Sequence, residues 1–223
     1  MRIAIYDLDR TLTRSPTFTP FLAFGASKVA PWRLGFMPVW ILAMVGYRIG
    51  LYSRTALKRF GMKTMLGNVG VRRLHEVGED YARARIAAPG LMSGTMQLLD
   101  EDRAAGARLM IATAAFDFYA ASFAERLGFE ALVATRWDGS TIPGGNCYGE
   151  TKKDRVLDWF AEEGIDRSAC SVRFVSDSFA DGPMLDWSDE PIFATGSPAE
   201  TAKAKARGWR VIDPRYGLPS TEG

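Results

Sequence analysis

The sequence predicts an α/β fold: a doubly wound, Rossmann-like parallel sheet with a small α-helical cap inserted after strand one. Three observations predict it. Short apolar runs alternate with amphipathic stretches of helical length. Two carboxylates, Asp7 and Asp9, follow directly on the first apolar run. From about residue 15 to residue 88 the composition shifts to Phe, Trp, Met and Leu, joined later by Arg and Lys, at helical spacing. The chain thus divides into a core, residues 1–14 and 89–223, and a basic, apolar insert, residues 15–88.

Ile3, Ala4, Ile5 and Tyr6 read as a buried strand. Pro89-Gly90 is a breaker pair that ends the insert. Residues 91–105 read as a helix stopped by Gly106, and residues 108–112 as a second strand followed by Thr113, Ala114 and Ala115. A helix over 116–127 precedes a third strand at 131–134. Asp138-Gly139 and Pro143-Gly144-Gly145 punctuate an expected hairpin. A helix over 151–163 leads to a fourth strand at 172–175. Two more strands, 191–194 and 209–212, flank a last helix rich in Ala, Lys and Glu.

With 223 residues, 47% apolar and 24% charged, the chain can bury one sizeable core, or a core with a small second domain. Cys147 and Cys170 form no disulfide framework and no metal-ligand spacing, so they read as reduced thiols of a cytoplasmic protein. His75 is alone, which excludes a His-based triad or a His-rich metal site. Carboxylates at positions 7 and 9 fit no signal peptide. The net charge of +2 conceals an asymmetry: from Arg10 to His75 there is no Asp or Glu, while Arg and Lys recur throughout. Such a segment points to an anionic partner, with no nucleic-acid partner expected.

Inside the insert, residues 34–47 are uncharged and mostly apolar. A membrane span needs about 20 such residues. Three readings compete: a buried helix of the insert, an interfacial helix with Trp32, Trp40 and Tyr47 near lipid headgroups, and a true span.

The chemistry gathers where strands end, because ligands of open α/β sheets sit at the carboxyl ends. Asp7 and Asp9, two residues apart on an extended strand end, face the same way. Such a pair is costly unless a cation or a proton separates the charges. One carboxylate could attack phosphorus while the other handles the leaving group's proton, or both could merely cap the loop. Thr113, after strand two, offers a hydroxyl to a phosphate oxygen or an N-cap to the next helix. Lys152 stands in the first turn of a helix, where the dipole opposes a cation unless an anion meets it; Lys153 beside it has the look of a solvated lysine. Asp177 and Asp181, four apart, can reach one metal, or each can serve as a cap or a surface acid.

Taken together, DLDRTLT at the first strand, Thr113, Lys152 within NCYGETK, and Asp177 and Asp181 within SDSFAD resemble, in order, the four motifs of the haloacid dehalogenase superfamily. They are similar to the forms of its phosphoserine-phosphatase-like branch, which carries a helical cap just after motif one. The resemblance implies a phosphatase in which Asp7 is the nucleophile and Asp9 the acid and base. It implies Mg²⁺ held by the Asp7 carboxylate, the Asp9 backbone carbonyl and Asp177, with Asp181 nearby. Thr113, Ala114 and Lys152 would hold the phosphoryl oxygens.

The sequence departs from phosphoserine phosphatases in one respect. Residues 13–24 hold no acid to pair with a substrate ammonium, and the next carboxylate is Glu76. That favours an anionic small-molecule or lipid phosphate. Trp residues soon after motif one and the Trp209-Arg210-Val211 run loosely resemble bacterial phosphatidylglycerophosphate phosphatases. An amino-acid phosphatase, a phosphotransferase and a silent membrane- or anion-binding protein are the alternatives. The expected location is the cytoplasm, with peripheral contact at the inner face of the membrane as a second reading.

Overall fold

The structure, a computed structural model, describes residues 1–88 and 90–216. Its frame is set by six parallel strands: β1 (Arg2–Tyr6), β2 (Arg108–Phe116), β3 (Ala131–Thr135), β4 (Ser171–Ser176), β5 (Glu190–Ala194) and β6 (Arg210–Ile212). Their order, β3-β2-β1-β4-β5-β6, reverses direction at β1. The chain builds outward to β3, then crosses back to lay β4 against the other side of β1. The carboxyl ends of β1 and β4 therefore flank a topological switch point, where open α/β sheets bind ligands.

Alternation along β1 explains how one strand serves two layers. Ala4 and Tyr6 join an apolar cluster on one face, and Ile3 and Ile5 join another on the opposite face. The first face is covered by α1 (Phe18–Val29), α4 (Val71–Ala87), α5 (Ser93–Ala104) and α6 (Asp117–Arg126). The second is covered by α7 (Glu150–Glu162), α8 (Gly182–Trp187) and α9 (Pro198–Ala206). Beneath the site, the Tyr6 hydroxyl donates to Asp102 Oδ2 at 2.6 Å, tying β1 to α5.

Between β1 and α5 the chain forms α1, a 3₁₀ segment Pro31–Phe36, α2 (Met37–Arg48), α3 (Arg54–Gly61) with a π turn Met62–Leu66, and α4. This insert shares its core with the sheet. Phe21 of α1 stacks on Tyr119 of α6 with ring centroids 4.8 Å apart. Gly78 of α4 lies so close to α6 that a Cβ there would meet the Phe118 carbonyl oxygen at 2.3 Å.

Four expectations change. The apolar run 34–47 is broken at the 3₁₀ segment, and Pro38 opens the 12-residue α2, which is about 18 Å long. No described helix is long and apolar enough to cross a membrane, so the span reading falls. The buried-helix reading holds for one face only: Trp40 and Gly46 are buried and Met37, Ala43, Met44 and Tyr47 pack half-buried against the core, while Val39, Ile41, Leu42 and Val45 are exposed. Trp40, being in the core, cannot sit among headgroups. Residues 138–145 form a loop, not a hairpin: the Asp138 carboxylate accepts the N–H groups of Ser140 and Thr141, donors that a ladder would have used. Finally, Thr113 caps no helix. It lies inside β2, and α6 begins only at Asp117 with Phe116 at its N-cap position. The breaker Pro89 lies outside the described residues.

Candidate active site

The first turn after β1 is tight. Leu12 and Thr13 both donate backbone N–H groups to the Leu8 carbonyl, and Arg10 adopts a left-handed conformation with φ 59°. Such a conformation costs a non-glycine residue about 1–2 kcal/mol, and strain of this kind gathers at functional sites. The turn sets Asp7 and Asp9 in the wall of a cavity of about 240 Å³ at the switch point. Ala114, Lys152, Asp177 and Asp181 line it from the ends of β2, α7 and β4. Pro16 and Arg54 line it from the insert.

Asp7 and Asp9 have different partners. Asp7 Oδ1 accepts from Lys152 Nζ at 2.8 Å. Asp9 Oδ1 accepts from both the backbone N–H and the hydroxyl of Thr17, each at 2.7 Å. Thr17 is itself fixed by the insert and α6: its carbonyl accepts from the Tyr81 hydroxyl at 2.8 Å, and its hydroxyl lies 3.2 Å from that of Tyr119.

Lys152 is fully buried in the first turn of α7, which starts after Gly149 at φ 61°. Its ammonium bridges Asp7 and Asp181, at 2.6 Å from Asp181 Oδ2. Burial opposes that charge, but Asp181 and Asp7 outweigh it and hold the ammonium well above the ordinary lysine range. The unfavourable helix dipole is answered by those two anions. Ser176 donates to the same oxygen of Asp181 at 2.7 Å. Asp181 thus positions the lysine.

The cavity is short of positive charge. Burial pushes Asp7 up to about 6, against the pull of Lys152, with Asp181 and Asp9 adding to the rise. Burial and then Asp7 push Asp177 up to about 7, partly offset by Arg10. Asp181 Oδ1 is buried without a hydrogen-bond partner. Hard oxygen donors, an orphaned carboxylate oxygen and crowded negative charge fit a small divalent cation. Among the described residues no three acidic, Cys or His side chains form a ready-made metal cluster. Asp9 Oδ1 is committed to Thr17 and Asp181 Oδ2 to Lys152, which leaves Asp181 only Oδ1 to offer, so the fit is to an ion held by one or two carboxylates and completed by other oxygens.

Thr113 is fully buried, and its hydroxyl accepts from the Ala115 N–H at 3.1 Å, which leaves its proton free to donate. Its neighbour Ala114 reaches the cavity wall. The pairing of β2 with β3 shifts between Ala112 and Phe116, and the Ala114 carbonyl turns to accept from the Thr135 hydroxyl and from Lys58.

Lys58 is a residue that sequence reading missed. It comes from α3 in the insert, is 5% exposed, and donates to Asn146 Oδ1 at 2.6 Å as well as to Ala114. Burial, with Arg54 adding to it, lowers its ammonium to about 7. Between about pH 7 and 10.5 the unfolded chain therefore holds a proton that the folded chain releases, and stability rises with pH across that window. The slope is at most about 1.4 kcal/mol per pH unit. Lys58→Met is expected to flatten that rise, read as urea midpoints at pH 7.5 and 9.5. Equal pH dependence in variant and wild type would contradict a buried, titrating Lys58. Thr17 and Ser176 were also missed; nothing local marks a hydroxyl that will meet a carboxylate across the fold.

The sequence model of the haloacid dehalogenase-like hydrolase family matches residues 4–186. Over 131 residues the chain is 30% identical to the inhibition of morphological differentiation protein of Streptomyces azureus, covering 56% of this chain and 47% of that one. The chain thus spans about half the length of that relative. A protein of unknown function from Bordetella pertussis Tohama I superposes with a TM-score of 0.83 at 28% identity, over 96% of this chain and 98% of the other. A probable phosphoserine phosphatase from Vibrio cholerae superposes with a TM-score of 0.66 at 16% identity, over 97% and 61%, which shows a common fold. A match across most of the chain, with the paired aspartates of β1 at the switch point of the sheet, makes this protein a member of the haloacid dehalogenase-like hydrolases.

Proposed function

We propose that the protein is a Mg²⁺-dependent phosphomonoesterase that works through an aspartyl-phosphate on Asp7. The observation that carries this reading is the division between the two carboxylates of β1. Asp7 faces the cavity with a buried ammonium at 2.8 Å, while Asp9 is held apart by Thr17.

In the first step an Asp7 carboxylate oxygen attacks phosphorus, the ester P–O bond breaks, and Asp9 gives its proton to the departing alkoxide. In the second step water attacks phosphorus, Asp9 takes its proton, and the bond from phosphorus to Asp7 breaks to release inorganic phosphate. Lys152, the Thr113 hydroxyl and the backbone at Ala114 hold the phosphoryl oxygens against the surrounding carboxylates. Mg²⁺, when bound by the Asp7 carboxylate, the Asp9 carbonyl and Asp177, supplies positive charge to the phosphoryl oxygens and offsets repulsion between anions. Residues 15–88 act as the cap that closes over this cavity.

The cap also supports a substrate class. Arg54 lines the cavity, its guanidinium 4.3 Å from the Tyr148 ring centroid, and residues 10–75 supply no carboxylate for an ammonium. An anionic small-molecule or lipid phosphate suits that wall better than an amino-acid phosphate. Reduced Cys147 and Cys170, both free thiols, are in keeping with a cytoplasmic location.

Phosphate release with Mg²⁺ and with EDTA, across phosphoserine, sugar phosphates, nucleotides and lipid phosphates, tests the reading. Release is expected only with Mg²⁺, and phosphoserine is expected to rank low. No Mg²⁺-dependent release from any member would sink the proposal. Asp9→Asn is expected to slow turnover by about 10²–10⁴-fold with the fold intact; unchanged turnover would remove Asp9 from proton transfer.

A further inference from the structure

Helix α2 is apolar on the wrong side. A helix on a globular protein ordinarily turns its apolar stripe inward, yet here Ile41 is 51% exposed, Leu42 70%, Val45 50% and Ile49 69%. These residues follow one another along the outer face of α2 and onto the turn beyond it. Trp32, in the 3₁₀ segment before α2, and Leu51, in the turn after it, are likewise exposed, at 67% and 70%. Single exposed apolar residues are ordinary, but a contiguous patch of this kind marks a docking surface.

The patch is held outward by packing. Trp40 points into the core at 1% exposure, and Gly61 makes room for it: a Cβ there would meet the Trp40 ring at 2.7 Å. On the same side the Tyr52 hydroxyl donates to the Ala43 carbonyl and lies over Gly46. With one face of α2 fixed on the protein, the opposite face cannot turn in.

Charge decides what covers it. Lys28 of α1, Arg48 of α2, Arg59 of α3 and Lys63 of the π turn are exposed on the insert, and the chain has no carboxylate between positions 10 and 75. Arg33 lies 4.6 Å from the Trp32 ring centroid. A second copy of the chain would bring this basic rim against itself, at an electrostatic cost. A sheet of anionic headgroups over acyl chains complements both the rim and the apolar centre. At about 18 Å, α2 cannot cross a bilayer but can lie in its surface.

We propose that α2 and the Trp32 turn dock the protein on the surface of an anionic phospholipid bilayer. Arg54, which opens α3 six residues after the end of α2, also lines the cavity, so the docking helix and a residue of the cavity wall belong to consecutive helices of the insert. This inference does not depend on the phosphatase reading.

The test is co-sedimentation of the full chain with extruded vesicles of phosphatidylglycerol and phosphatidylcholine, or of phosphatidylcholine alone. Binding to the anionic vesicles is expected to be at least tenfold tighter and to weaken as salt rises. Ile41→Glu with Leu42→Glu is expected to weaken it at least tenfold without lowering the thermal unfolding midpoint, and Arg48→Glu is expected to reduce the preference for anionic lipid. Absence of binding to anionic vesicles, or equal binding by the double variant, would overturn the proposal. A dimer in light scattering that the double variant abolishes would assign the face to a second copy instead.

Discussion

Asp7→Asn is expected to lower Mg²⁺-dependent phosphate release by at least about a thousandfold, because an amide oxygen cannot replace the attacking carboxylate. The fold is expected to survive. Lys152 keeps Asp181 at 2.6 Å, and Asn occupies the same volume in the turn after β1. The variant is also expected to gain in stability when Mg²⁺ is chelated. Burial raises the Asp7 carboxyl to about 6, so its ionised form is disfavoured in the folded chain, and that cost is complete only above pH 6. Thermal unfolding in EDTA at pH 7.5 is therefore expected to show a midpoint at or above that of the wild type. Lost activity with a lowered midpoint would point to a structural role for Asp7 and undo the assignment.

Lys152→Met is expected to have the largest effect on stability. The substitution leaves Asp7 and Asp181 buried with no ammonium between them, and breaking a buried pair in this way costs about 3–5 kcal/mol. For a chain of this size that corresponds to a fall of roughly 10 °C in the unfolding midpoint. Activity is expected to vanish as well, since a phosphoryl dianion would then face the carboxylates without the lysine. Lys153→Met is the control: its ammonium lies 3.8 Å from the exposed Glu150, and a surface pair contributes at most about 1 kcal/mol. A chemical melt of both variants separates the two lysines. Equal stability would mean that Lys152 does not carry the charge balance of the site.

That pair of lysines shows how far sequence reading reaches. Their positions differ by one residue, and only the fold turns Lys152 toward β1 while Lys153 meets solvent. The alternation of apolar runs was legible because the central strands β1, β2 and β4 are buried on both faces along most of their length, and the parallel order then brought Asp7, Ala114, Lys152 and Asp177 to one cavity. The hydrogen bonds that prepare these groups were not legible. Thr17 holds Asp9 only because α1 and α4 pack on α6, and Lys58 looks like one more cation on a basic helix until Ala114 and Asn146 are seen beneath it. Helix α2 failed for a different reason. Its residues are apolar nearly all round, so periodicity could not say which side faces the core, and tertiary packing through Trp40 made the choice.

The central claim is a covalent bond from phosphorus to Asp7, and Asp9→Asn supplies the means to see it. Slowed release of the phosphoryl group should let it accumulate when the variant is mixed with Mg²⁺ and an activated aryl phosphate, then quenched in acid. Mass spectrometry of the peptide containing Asp7 is expected to show the added phosphoryl group, discharged on addition of hydroxylamine. Turnover without any label, or a label on a peptide lacking Asp7, would contradict the account.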